Sequence, residues 1–148
     1  MQGVDINMAH RIKWIVVALF MLPGIAPAKT VVLIHGYLAE GGIWQYSGIV
    51  GRMHQNGWPF AGRYGFNDQY DVVQNVSERK GNATVTVELP WQESIATQSE
   101  LLSRYLQAIY QDRPEPMVLV GHSAGGVVAR YGLVRYGSGK VDSLITIA

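Results

Sequence analysis

Residues 117–133 read MVLVGHSAGGVVARYGL, and this stretch decides how the rest of the chain is read. Residues 117–120 are four apolar positions in a row, the pattern of a strand buried on both faces, as in a parallel sheet. Gly121-His122-Ser123-Ala124-Gly125 follows and matches Gly-x-Ser-x-Gly, and Ala124–Tyr136 then carries a helical pattern that predicts Val127, Val128, Tyr131 and Val134 on the inward face. Strand, turn and helix in that order are what a nucleophilic serine needs. Its hydroxyl is unreactive at neutral pH unless a tight turn exposes it and a base stands near. Gly121 and Gly125 leave room for such a turn, Gly126 lengthens the small-residue stretch, and the helix N-terminus favours negative charge developing beside it. The plain alternative is a glycine-rich turn whose serine only caps the helix.

Working outward, Thr30–Ile34 (TVVLI) and residues 83–89 (ATVTVEL) are further apolar, β-branched strands, and residues 143–147 another. Residues 44–56 predict a helix with Ile49, Val50 and Met53 on one face, Ser47 as cap and Gly57 as stop; residues 94–110 predict a longer one. Residues 58–82 lose the pattern and read as an irregular insertion or a hairpin. Strands alternating with helices imply a doubly wound, mostly parallel α/β sheet, whose ligands gather at the carboxyl ends of the strands.

A second motif stands at such an end. His35-Gly36-Tyr37 closes the first strand, where a backbone N–H can face the serine turn across the top of the sheet. Acyl transfer needs two N–H donors for its oxyanion. The pair expected here is Ala124, directly after Ser123, with Tyr37 or else Leu38, each donor contributing about 3 kcal/mol to transition-state stabilisation.

With both motifs in view, the chain resembles the α/β-hydrolase superfamily, most nearly the secreted lipases and esterases of bacterial type. The resembling stretches are VVLIHGYL at 31–38, VELPW at 87–91 and the opening segment at 117–133. The resemblance implies an ester hydrolase with Ser123 as nucleophile, Tyr37 and Ala124 as oxyanion donors, and a triad acid and histidine later in the chain. It also implies an ester or lipid-like small-molecule substrate, transient contact with a lipid surface, and no cofactor.

The chain departs from that pattern after the serine. All four histidines, His10, His35, His54 and His122, precede Ser123, and the 25 residues after it hold one carboxylate, Asp142. His35 is expected to orient the oxyanion loop, His122 to point away from the base position, and His54 and Asp142 to be solvated surface groups. The expectation is therefore an N-terminal half of a hydrolase domain, with the sheet incomplete on its C-terminal side. A different class, a non-catalytic binding protein or inactive fragment on the same fold, is the alternative.

Composition agrees with one globular domain. Of 148 residues, 48% are hydrophobic, with 12 basic and 11 acidic side chains and no cysteine. Near-neutral charge without a basic run argues against nucleic acid, and the lack of cysteine removes disulfides, thiolate zinc sites and thiol nucleophiles. No phosphate-cradling, dinucleotide or zincin motif occurs. His10, Arg11 and Lys13 precede a nine-residue apolar run, and Ala26-Pro27-Ala28 closes it, which reads as a secretory signal over residues 1–28 leaving 29–148 as the mature domain. Met8 is an alternative start, and the destination is the periplasm or the medium, or the membrane face if the signal stays uncut. Spanning a bilayer needs about 20 apolar residues, more than the run supplies. Trp44, Trp58 and Trp91 are aromatic candidates for a pocket but more simply core packing. Asn75 and Asn82 head glycosylation sequons, and Arg130 and Arg135 are expected to face solvent.

Overall fold

The computed structural model describes residues 28–76 and 81–148; the signal-like segment falls on residues outside those described, apart from Ala28. In chain order the elements are β1 Thr30–Ile34, α1 Ile43–Tyr46, α2 Ile49–Gln55, β2 Phe60–Phe66, β3 Val72–Val76, β4 Ala83–Val87, α3 Ile95–Asp112, β5 Met117–His122, α4 Ala124–Tyr136 and β6 Val141–Ile147. The strands form one sheet in the order β3-β2-β4-β1-β5-β6. β3 runs antiparallel to β2, and every other pairing is parallel.

Both faces of the central strands are covered, which is why they read as unbroken apolar runs. Side chains alternate along β1: Val32 and Ile34 join Val85, Val87, Leu101, Leu102, Tyr105, Ile109, Leu119 and Val128 beneath α3 and α4. Val31 and Leu33 point the other way, into a smaller cluster with Trp44 and Val50, packed by Trp58, Phe60, Val118 and Val120. Trp44 and Trp58 are thus packing residues. Tyr64 and Tyr105 are fully buried on the first face, and each hydroxyl donates a hydrogen bond, to Asp112 Oδ2 at 2.8 Å and to the Glu88 carbonyl at 2.7 Å.

Of the two readings of residues 58–82, the hairpin holds and the irregular insertion does not: β2 and β3 pair antiparallel, and β2 also enters the sheet beside β4. β2 carries two glycines and an arginine, so its strand character comes from its partners rather than from its own propensity, and Gly62 marks a break in the register with β4. Two other expectations need correction. The helix expected over residues 44–56 is two short ones, broken at Gly48, where φ is +78°; Ser47 ends the first rather than capping a long one. On α4, Val128 is buried as expected, but Val127, Tyr131 and Val134 are exposed, at 57%, 43% and 83%. The other buried positions are small, Gly125, Gly126, Ala129 and Gly132, and at Gly132 α3 comes close enough for Ser99 Oγ to donate to the Val128 carbonyl at 2.9 Å. β6 lies at the edge of the sheet and is largely exposed.

Candidate active site

β5 ends at His122 and α4 begins at Ala124, so Ser123 alone makes the corner. Its backbone sits at φ +51° and ψ −124°, a region that non-glycine residues avoid and that stores strain where a site requires it. The corner is held by its neighbours. Ser123 N–H donates to the Ile147 carbonyl at 2.7 Å, and Gly126 N–H to the Ser123 carbonyl at 3.0 Å. A Cβ on Gly121 would meet Gly126 Cα at 2.6 Å, and one on Gly125 would strike the His35 carbonyl, so both glycines are required by close backbone approach. The Ser123 side chain is exposed and makes no capping bond to α4, which removes the reading of this serine as a mere helix cap.

The loop after β1 lies directly against this corner. A Cβ on Gly36 would meet the His122 carbonyl at 3.0 Å and Ser123 Cβ at 3.1 Å. His35 is buried, and its Nε2 accepts the Leu89 N–H at 2.9 Å. That nitrogen therefore carries no proton, and Nδ1–H donates to the Gly36 carbonyl at 2.9 Å. The imidazole bolts the start of the loop to the end of β4. Beyond it Tyr37 and Leu38 are exposed, and Leu38 has φ +57°. Among the described residues the N–H groups of Tyr37 and Ala124 donate to no protein acceptor. Trp91 stands edge-on to Tyr37 with centroids 5.3 Å apart, so of the three tryptophans it is the one at the rim of the site.

Sequence reasoning gave Glu88 no role. It follows β4 at the carboxyl end of the sheet, and its Oε2 accepts the Gly41 N–H at 2.6 Å. Arg63 Nη1 is 3.9 Å from the same oxygen, and Oε1 lies 3.4 Å from His35 Nε2. A charged residue ending a buried strand at the ligand-binding edge was the available signal.

The remaining candidates stand apart. His122 is exposed and meets Trp44 edge-on at 6.4 Å between centroids, and His54 is exposed on the last turn of α2. Asp142 pairs with Lys29 Nζ at 2.7 Å near the start of β6, the end of the sheet opposite Ser123. Among the described residues no side chain hydrogen-bonds Ser123 Oγ. A cavity of about 360 Å³ opens between the C-terminal ends of α3 and α4, lined by Leu106, Tyr110, Leu133, Lys140 and their neighbours, also away from the serine.

Residues 92–148, from α3 through the serine corner to β6, match the PGAP1-like alpha/beta domain family. The chain has the α/β-hydrolase fold. The product of gene lin2722 from Listeria innocua superposes with a TM-score of 0.64 at 16% identity, over 79% of this chain and 48% of that one. A protein described as a cell surface hydrolase of Lactobacillus plantarum WCFS1 gives 0.62 at 14%, over 82% and 53%. The mature lipase BlEst2 of Bacillus licheniformis gives 0.61 at 17%, over 85% and 42%. At these identities the likeness is one of fold, and this hydrolase-fold chain spans about half the length of each structure. No curated protein matches it.

Proposed function

We propose that the protein is a serine hydrolase of carboxylic esters, in which Ser123 Oγ attacks the ester carbonyl and the N–H groups of Ala124 and Tyr37 receive the oxyanion. The observation that carries this reading is the strained, exposed Ser123 corner with Gly36 packed on it. Attack forms an acyl-enzyme and releases the alcohol; water then releases the acid. Donors held by a rigid helix start and a bolted loop need no reorganisation as charge develops.

The general base is a histidine, with its acid partner, supplied from outside residues 28–148. No imidazole among the described residues bonds Ser123, and about half of each similar solved structure lies outside the part this chain matches. The substrate is an ester or lipid-like molecule, in keeping with the rim of exposed Tyr37 and Leu38 beside half-buried Trp91. Residues 1–28 act as a secretory signal, and 29–148 form the N-terminal part of the hydrolase domain.

The test compares hydrolysis of p-nitrophenyl butyrate by the 148-residue chain and by the chain extended with the sequence that follows Ala148 in its reading frame, each with its Ser123→Ala variant. The extended protein should turn over and lose roughly 10⁴-fold or more in kcat on Ser123→Ala. Turnover indifferent to Ser123 refutes the nucleophile. Robust Ser123-dependent turnover by the 148-residue chain refutes the external base, and a stop codon after Ala148 favours the non-catalytic alternative.

A further inference from the structure

We propose that Glu88 is a positioning residue that holds the oxyanion loop closed from its far end, a role that rests on the ester-hydrolase reading above. The loop from His35 to Gly42 has to present Tyr37 N–H at a fixed distance from Ser123, yet its middle is exposed and makes few contacts. Two anchors restrain it. The first is His35 on the Leu89 N–H. The second is Gly41, which lies flat on the end of β4: a Cβ there would meet the Val87 carbonyl at 2.8 Å and Glu88 Oε2 at 3.0 Å. Its N–H donates to Glu88 Oε2 at 2.6 Å, a short bond to a charged acceptor and the stronger kind for that reason.

The carboxylate is itself fixed. The Glu88 N–H donates to the Tyr64 carbonyl at 2.8 Å, and the Glu88 carbonyl accepts the buried Tyr105 hydroxyl at 2.7 Å, so its backbone cannot drift. The Arg63 guanidinium lies near Oε2 and over the Gly42 backbone, closing the turn from the solvent side. β2 and α3 thus hold the Glu88 backbone at the end of β4, and its carboxylate sets where the Gly41 end of the loop can be. Releasing it frees the loop to swing about the His35 anchor, and a donor displaced by about 1 Å costs on the order of 100-fold in rate. The effect falls on the oxyanion and not on substrate binding, because an N–H aimed at developing charge is used most in the transition state.

The experiment uses the active protein and four readouts on Glu88→Ala and Glu88→Gln: kcat, KM, affinity for an alkylboronate that forms a tetrahedral adduct, and amide hydrogen exchange over residues 36–42. Glu88→Ala should lower kcat about 10- to 100-fold with KM within about twofold, and weaken the boronate by the same factor. It should also speed exchange at Gly41, whose N–H loses its acceptor. Glu88→Gln keeps an oxygen that accepts the Gly41 N–H and should stay within about fivefold of wild type. If Glu88→Ala does not fold, Glu88→Asp, whose carboxylate falls short of Gly41, is measured instead with the same expected direction. Unchanged kcat and unchanged exchange in the Ala or Asp variant, while Ser123→Ala is inactive, overturns the proposal alone. Equal losses in Ala and Gln variants that track a fall in Tm overturn it too, by reducing Glu88 to general stability. Hydrolysis that survives Ser123→Ala overturns the hydrolase reading instead, and exchange still reports whether Glu88 holds the loop.

Discussion

Gly121→Ala tests the packing of the serine corner. Gly121 has no positive φ, so alanine meets no backbone strain there and the whole penalty is steric. The new methyl would lie 2.6 Å from Gly126 Cα, 2.7 Å from Gly126 N and 2.9 Å from the Gly125 carbonyl carbon. Ordinary contact begins near 3.4 Å, so β5 and the start of α4 must separate by about 0.8 Å. Every atom in the way is backbone, and no side chain can turn aside. Overpacking of this kind costs about 3 kcal/mol at the upper end, offset by about 0.5–1 kcal/mol from the lower conformational freedom of alanine in the unfolded chain. A net loss near 2 kcal/mol lowers Tm by about 4–8 °C in a domain of this size. Gly51→Ala is the control: it is exposed on α2 with nothing within 4 Å of the new methyl, and should raise stability by about 0.5–1 kcal/mol. The assay is thermal unfolding followed by circular dichroism on the three proteins. A Gly121→Ala midpoint within about 1 °C of wild type, or one matching Gly51→Ala, would show that the corner is not packed as described.

Two further outcomes follow from residues away from the corner. Ser94 Oγ accepts the Thr97 N–H at 3.1 Å as the N-cap of α3, and Ser94→Ala should cost about 1 kcal/mol in denaturant unfolding, with an effect under about 0.3 kcal/mol refuting the cap. The phenols of Tyr64 and Tyr105 are raised above the ordinary value of 10.0, chiefly by burial, with Asp112 adding to the first and the charge of Glu88 to the second. A raised phenol favours its neutral form in the fold, so its contribution is complete below pH 10 and is lost as pH climbs toward the folded value. Tm should therefore fall above about pH 10 more steeply in wild type than in Tyr64→Phe/Tyr105→Phe, and parallel slopes from pH 9 to 11 would refute the assignment.

The hydrolase fold was legible wherever structure follows from local pattern. The apolar runs at 30–34, 83–87 and 117–120 announced strands covered on both faces, and the Gly-His-Ser-Ala-Gly turn announced the corner, because an unbroken apolar run and a glycine requirement are written in adjacent letters. Tertiary structure alone decided the rest. Glycine-bearing β2 is a strand because β4 and β3 pair with it, and α4 buries Gly132 because α3 comes close enough there to make a small residue the better fit. His35 reaches Leu89 across 54 positions and Gly41 reaches Glu88 across 47. Such partners have no sequence signature, since what joins them is the parallel register of β1 and β4, which brings the two strand ends to one edge of the sheet.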